Sequence, residues 1–433
     1  MIAIIGAGIS GLSLAYYLKK MGKDFMLFEK SSTGGVIRTK LDNGRVFDLG
    51  ANSLILNKDA EQLITDLKLE SKLVEAHESS KNRFIIHQGQ LIQLPSRPQD
   101  ILKTSMITWK AKFRIFREIL GLFKKTKKEN ETVAEFFERH FGKEITEKLV
   151  YAFVNGIYSL NPEELDLELT FPRLQELENK YGSILKGFIK EKSLDRMKSV
   201  NFENGFSTLI TALNNQVKAQ LLQAEVLGIE RNADRYQIKY STDEGEKKLY
   251  FDKVVFCSDL KSTEKLINHL SLGVQQYFKA TKVLTINTIN LVYKKSAVKK
   301  SINGFGALGT LDSQINFSGV INVSQTFPTK LNNEDEVMFT VMIKGKQAGS
   351  NDEELIHVAH EQLSKLLNIS EFPISKELTR WRGGLPEYNK ELKILNQELP
   401  KFRSNNIFFN ANWVQGLSIK DCISKSKEIS TLL

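Results

Sequence analysis

Cysteine is almost absent from this chain: Cys257 and Cys422 are the only two in 433 residues. They lie far apart and have no CxxC spacing, which excludes a disulfide framework and a cysteine-built zinc site and makes a reducing compartment the expectation. Proline is scarce, at 8 residues, so collagen-like and proline-rich disordered architectures are excluded. No apolar run reaches about eighteen residues, and a membrane-crossing helix is therefore not expected. Low-complexity tracts and internal repeats are also missing. The apolar N-terminus lacks the basic flank of a secretory leader and is broken at once by Gly6, Gly8 and Gly11, so it is expected to belong to the fold.

What is present has the balance of an ordered enzyme, with 41% hydrophobic and 26% charged residues. A chain of this length divides into two or three domains, each with its own core. The net charge of +10 favours acidic partners: nucleic acid, an anionic membrane or a polycarboxylate substrate.

The first thirty residues read as strand, glycine turn, helix, strand. An apolar strand over 2–5 runs into Gly6-Ala7-Gly8-Ile9-Ser10-Gly11, and a helix carrying Leu12, Leu14, Ala15 and Leu18 follows. In this context Gly6 permits the tight turn, Gly8 lets backbone approach a pyrophosphate, and Gly11 allows close helix–strand packing. A second strand over 25–28 ends at Glu29, whose carboxylate is placed for ribose hydroxyls and against a 2′-phosphate. A second GxGxxG, Gly304-Phe305-Gly306-Ala307-Leu308-Gly309, follows a basic loop and precedes no helical pattern, so it is rejected as a nucleotide site. One such site leaves room for FAD and none for a separate NADPH. FAD is favoured by what comes next: Gly34-Gly35 lets the chain pass beside the cofactor, Arg38 is suited to a phosphate, and Thr39 and Phe47-Asp48-Leu49-Gly50 follow. At the C-terminus, a strand over 407–409 and a turn over 410–416 lead to a helix over 418–429. Ser418 and Asp421 form a capping box there, and the helix N-terminus is suited to a reduced, negative flavin.

These residues resemble the superfamily of amine oxidases, phytoene desaturases and oxygen-dependent protoporphyrinogen oxidases. The stretches at 50–53 (GANS), 132–142 (TVAEFFERHFG), 155–165 (NGIYSLNPEEL), 171–183 (FPRLQELENKYGS), 381–388 (WRGGLPEY) and 416–422 (GLSIKDC) point to the last of these. The resemblance implies an α/β architecture: a discontinuous Rossmann-type FAD domain (1–79, 201–283 and 404–433), a mixed-sheet substrate domain (80–97 and 284–403) and an α-helical membrane-associated domain (98–200). It implies one FAD per chain, held by Gly6, Gly8, Ile9, Ser10, Gly11, Glu29, Lys30, Gly34, Gly35, Arg38, Thr39, Gly50, Ala51, Asn52, Ser53, Val226, Trp381, Asn412, Gly416, Leu417 and Ser418.

The activity implied is oxidation of protoporphyrinogen IX to protoporphyrin IX with O2, in heme biosynthesis, with coproporphyrinogen III as the alternative substrate. Arg83 matches the position that binds a propionate, Phe305 an aromatic that stacks on a pyrrole, Leu291 an aliphatic on the opposite side, and Gly156 a glycine beside the substrate, with Asn52 nearby. Arg83 also reads as a solvated residue at a strand start, and Phe305 and Leu291 as plain core. Leu160 and Ala411 stand where the family has glycines, and the stretch from Tyr293 to Phe305 is shorter than in plant-type members, which puts the Leu291 match in doubt. No general base emerges. Trp381 and Trp413 could form part of the aromatic cage of an amine oxidase, and a flavin-bearing porphyrin binder without turnover is a further reading.

Between 98 and 200 the pattern turns helical. Met106, Trp109, Phe113, Phe116, Leu120 and Phe123 form an apolar stripe, with Lys103, Lys110, Lys112, Arg114 and Arg117 between them and Lys124, Lys125, Lys127 and Lys128 after it. Such a helix suits an anionic membrane interface or an ordinary packed surface. The resemblance favours the first, with residues 100–128 meeting the inner face of the cell membrane of a cytoplasmic protein. No nucleic-acid module surrounds the basic run. A homodimer and contact with neighbouring heme-pathway enzymes remain open. Thr132 and Glu135 cap the next helix. His357 and His360 lie off the apolar stripe of a helix and are expected at the surface, without a metal. Cys257 is expected to be a small buried hydrophobe.

Overall fold

The computed structural model describes residues 1–95, 104, 106–122, 130–158, 160–191, 198–267, 270, 274–344, 351–414 and 416–433. Three separated stretches of chain build a five-stranded parallel sheet in the order Leu221–Gln223, Phe25–Glu29, Ile2–Ile5, Lys253–Phe256, Ile407–Phe409. The strand Ile2–Ile5 is buried along its whole length because both faces are covered. Ile2 and Ile4 enter the core made with helices Ile9–Lys20 and Ile419–Leu432. Ala3 and Ile5 enter the other core, with Tyr240 and Phe251 from the three-stranded antiparallel sheet Glu225–Asn232, Arg235–Thr242, Gly245–Phe251.

A seven-stranded mixed sheet has the order Ser375–Pro386, Val283–Lys294, Glu336–Lys344, Gly319–Asn322, Gly306–Gly309, Phe84–His87, Gln90–Gln93. Among the described residues its one parallel contact joins Gly306–Gly309 to Phe84–His87. Helix Asp352–Leu367 covers one face, where Leu355, Ala359 and Leu363 pack on Ile289, Leu291, Tyr293, Val341 and Ile343. Strand alternation turns Thr288, Asn290 and Thr340 to the other face. There Thr288 Oγ1 donates to the Leu49 carbonyl, Asn290 Nδ2 to the Asp48 carbonyl at 3.4 Å, and Thr340 Oγ1 to Asn52 Oδ1 at 3.4 Å.

This polar seam centres on a buried ion pair. Lys330 Nζ donates to Asp48 Oδ2 at 2.9 Å, Asn201 Oδ1 at 3.0 Å and the Phe202 carbonyl at 3.0 Å. Asp48 also accepts from Thr39 Oγ1, Asn201 Nδ2 and the Phe206 N–H, just before helix Ser207–Val217. Every bonding direction of the ammonium and of the carboxylate is therefore used.

The helical stretch is held by a second buried polar cluster. Arg139 donates to Glu131 and Glu178, and His140 Nδ1 lies 3.1 Å from Glu118 Oε1. Glu118 also accepts from Ser183 Oγ and the Ile184 N–H, at the start of helix Ile184–Glu191. Glu118 thus fixes the inner side of helix Trp109–Ile119. The expected Thr132–Glu135 capping box is present on helix Val133–Phe141. No helix among the described residues is long and apolar enough to cross a membrane.

Candidate flavin and substrate site

Ligands of parallel sheets gather at the carboxyl ends of the strands, and the predicted cofactor residues converge at that edge. Helix Ile9–Lys20 begins with Gly8 as N-cap, without a side-chain cap and without an acid in its first turn, so its free N–H groups suit an anion. A Cβ on Gly8 meets no protein atom within 4 Å, whereas one on Gly11 falls 1.9 Å from the Gly6 carbonyl oxygen. Gly8 thus fronts open space and Gly11 is needed for packing. These are the two duties that a dinucleotide turn assigns to them, and the residues fit the pyrophosphate of FAD. Ile9 and Ser10 are buried behind the turn, and the Ser10 carbonyl accepts from Asn410 Nδ2 and Ser426 Oγ.

Glu29 closes one side of the turn. Its Oε2 accepts from the Ala7 N–H at 2.7 Å, and its Oε1 from the Ser31 N–H at 2.9 Å and Ser31 Oγ at 3.1 Å, which leaves a lone pair on Oε2 for a ribose hydroxyl. Lys30 next to it is exposed. Val226 lies just beyond Gln223, the register partner of Glu29, at the same end. Gly34 accompanies the turn: its N–H donates to the Ala7 carbonyl at 2.8 Å, and a Cβ on Gly35 would stand 3.5 Å from Gly8 Cα.

The 34–53 stretch then leads to the seam. Thr39 exchanges hydrogen bonds with Ser207 and reaches Asp48. Gly50 packs against the Val36 carbonyl and the Trp381 ring, and Trp381 Nε1 donates to the Leu49 carbonyl at 2.9 Å. Arg38 is exposed, with its guanidinium 5.9 Å from the Trp381 ring centroid. The cation read as a phosphate partner is therefore at the Trp381 end of the site. Ala51, Asn52 and Ser53 are half-buried, and the Asn52 carbonyl accepts from Asn201 Nδ2 at 2.8 Å.

From the C-terminal side, Asn412 Nδ2 donates to the Gly384 carbonyl at 3.2 Å. Gly416 and Leu417 are half-buried and lead to Ser418, which caps helix Ile419–Leu432 in the expected box with Asp421. Trp413 departs from expectation. It is fully buried against Phe278 and Phe409, with Nε1 donating to the Ser258 carbonyl, so it cannot wall an amine cage. Cys257 and Cys422 are both free and buried; burial pushes the Cys257 thiol well up and the Cys422 thiol to about 11.

The substrate candidates divide. Arg83 stacks its guanidinium 4.3 Å from the Phe305 ring centroid and donates to the Ser80 carbonyl. It is exposed, just before strand Phe84–His87; among the described residues it has no carboxylate partner, and partial desolvation lowers its pKa. Phe305 is half-buried and packs against the cluster of Phe47, Val292, Ile321, Val323 and Met338, on the face that turns toward the seam. Gly156, on helix Tyr151–Tyr158, lies against Leu308, which a Cβ there would meet at 2.5 Å. Leu291 is a correction. It is fully buried on the opposite face of the sheet, under helix Asp352–Leu367, because strand alternation places odd positions there.

The rejected glycine pattern lies in the seven-stranded sheet: Gly306–Gly309 is a strand, not a helix start. Of the two histidines read as surface residues, His357 is exposed, but His360 is half-buried and bonds to Tyr293. Sequence reading missed Asn201, Lys330 and the duty of Asp48. Only the Phe47-Asp48-Leu49-Gly50 stretch carried any signal of that cluster.

Comparison with known proteins bears on the same residues. Residues 9–428 match the family of flavin containing amine oxidoreductases. A protoporphyrinogen oxidase 2, chloroplastic/mitochondrial, of Arabidopsis thaliana is 26% identical, covering 100% of this chain and 93% of its own. A coproporphyrinogen III oxidase of Bacillus subtilis is 24% identical, covering 98% of this chain and 96% of its own. A crystal structure from Exiguobacterium sp. 255-15 shares the fold at TM-score 0.82 and 20% identity, covering 99% of this chain and 97% of that one. With a match across nearly its whole length and an FAD-shaped turn at its head, the chain belongs to the flavin containing amine oxidoreductase family.

Proposed function

We propose that the chain oxidises protoporphyrinogen IX to protoporphyrin IX with O2 as electron acceptor. The observation that carries this reading is Arg83. An exposed guanidinium that has no carboxylate partner among the described residues and stacks on an aromatic ring suits an apolar macrocycle that bears a propionate. When bound, FAD supplies the two-electron acceptance that each step of the aromatisation needs and its reoxidation by O2. The chain's own residues position the substrate. Arg83 takes a carboxylate, Phe305 lies against the ring system, and the Gly50–Trp381 contact holds the neighbouring backbone in place. The full-length relative from Arabidopsis thaliana supports the substrate class. The test is a growing Soret band when purified protein meets protoporphyrinogen in air, and no turnover of any porphyrinogen sinks the reading. Coproporphyrinogen III is the second reading, favoured by the relative from Bacillus subtilis; rates on the two substrates side by side decide.

The same reading places the protein at the inner face of the cell membrane. Trp109, Phe113, Phe116 and Leu120 project from helix Trp109–Ile119, with Trp109 75% exposed, while Glu118 anchors the other side. Phe123, Lys103 and Lys124 to Lys128 lie outside the described residues, and Lys112 is buried, 4.6 Å from the Trp109 ring centroid, rather than free for head groups. Sedimentation with anionic vesicles tests this, and loss of binding in Phe113→Glu/Phe116→Glu is expected.

A further inference from the structure

The sheet face that carries Phe305 also carries a lysine that no motif singled out. Along Glu336–Lys344, Phe339, Val341 and Ile343 enter the core under helix Asp352–Leu367. Met338, Thr340 and Met342 turn to the other face, and Lys344 continues that even series. Its Nζ donates to the carbonyls of Asn155 at 3.1 Å and Gly156 at 2.8 Å. Across the sheet its register neighbours are Ile286 and then Trp381. Two strand spacings, roughly 10 Å, thus separate it from the tryptophan that holds Leu49. Lys344 therefore stands on the wall between Gly156 and Trp381.

No carboxylate among the described residues balances this ammonium. Burial is the one influence on it and pulls it down to about 7. The packing elements offer nothing to oppose that. On helix Tyr151–Tyr158 the hydroxyls of Tyr151 and Tyr158 are taken by Glu163 and the Thr170 carbonyl. Strands Gly319–Asn322 and Gly306–Gly309 carry no titratable side chain, and Tyr293 and Lys294 lie at the far end of Val283–Lys294.

Resting on the porphyrinogen reading, we propose that Lys344 is a second carboxylate anchor of the substrate site, meeting a propionate on a different pyrrole from the one at Arg83. Phe84 pairs with Ala307, Gly306 with Ile321 and Ile321 with Thr340, so Arg83 lies level with Thr340, three strands across and four residues back from Lys344. Strand spacing and rise put the two Cα atoms roughly 20 Å apart. Two long side chains closing from such a distance leave room for a macrocycle between them, which one propionate could not bridge.

A purely structural duty makes a different forecast. Asn155 and Gly156 are in the last turn of their helix, where a cation can satisfy free carbonyls. The experiment compares flavin-loaded wild type with Lys344→Met and Lys344→Arg. Binding of coproporphyrin III and of its tetramethyl ester is followed by quenching of protein fluorescence, and kcat and KM for the porphyrinogen are measured on either side of neutral pH. The expected result is at least about tenfold weaker binding of the free acid by Lys344→Met, equal binding of the ester, and recovery in Lys344→Arg. Wild-type KM rises as pH climbs through about 7 and Lys344 loses its proton, while Lys344→Arg stays flat. Equal acid binding by all three proteins, with only the unfolding temperature shifted, makes Lys344 a helix cap and overturns the proposal. A wild-type kcat that rises through the same pH range and collapses in Lys344→Met makes it a proton acceptor and overturns it too. Failure of wild type to oxidise any porphyrinogen counts against the function reading, while the binding arm still decides Lys344.

Discussion

Lys330 and Arg83 are both cations without a surface ion pair, and they differ in what surrounds the charge. Lys330 is fully buried, with three oxygen acceptors that include Asp48. Burial lowers its pKa while Asp48 works against that. Arg83 is exposed, its partners are one carbonyl and an aromatic face, and partial desolvation by them alone lowers its pKa. A buried charge that the chain balances for itself is architecture. An exposed one with no carboxylate partner among the described residues costs little in the free protein and stays available to a ligand.

The largest effect should come from breaking the balanced pair. Lys330→Met leaves the Asp48 carboxylate buried without its cation and should cost about 3–5 kcal/mol of stability, read by urea unfolding. A loss below about 1 kcal/mol would put Lys330 in the same class as an ordinary surface pair and erase the comparison. Arg83→Met should do the reverse. Unfolding should stay put, because an exposed cation without an ion pair contributes little to stability, while KM for the porphyrinogen rises roughly tenfold to a hundredfold, as for a lost hydrogen bond to a charged group. Arg83→Lys should recover only part, since it keeps the charge and loses the fork and the stacking. A strongly destabilised Arg83→Met with unchanged KM would reclassify the residue as structural.

The two glycine patterns make the contrast in backbone. In the first, Gly8 faces space and Gly11 faces backbone, so Gly8→Ala should fold normally and lose bound flavin. Visible flavin absorbance per protein checks it, and full retention would mean that the turn does not approach the cofactor. Strand, turn, helix and both capping boxes were legible in the sequence because each follows from neighbours within a few residues. Leu291 was not. Alternation was readable, but its phase depends on which face helix Asp352–Leu367 covers, about sixty residues downstream. The Asp48–Lys330 pair spans 282 positions and Lys330–Asn201 spans 129, and nothing local marks either. Glu118 looked like one more charge on a basic helix, and its burial appears only once helix Ile184–Glu191 is placed above it.

The smallest expected effect comes from another balanced charge, and it depends on pH. Burial would push the Glu178 carboxyl up, but hydrogen bonds from His140 and Arg139 outweigh it and hold the group down at about 2. Its folded-state value is thus below the ordinary one. The stability it contributes is fully present above about pH 4.5 and is lost as pH falls toward 2. In Glu178→Gln that fall should flatten by an amount on the order of 1–2 kcal/mol, since Glu131 still faces Arg139. Acid unfolding curves of the two proteins, compared over that window, measure it. Arg83→Met in the same experiment should run parallel to wild type, because Arg83 has no carboxylate partner among the described residues to protonate. If it flattens as Glu178→Gln does, Arg83 has an acidic partner in the free protein and the distinction between balanced and unbalanced cations fails.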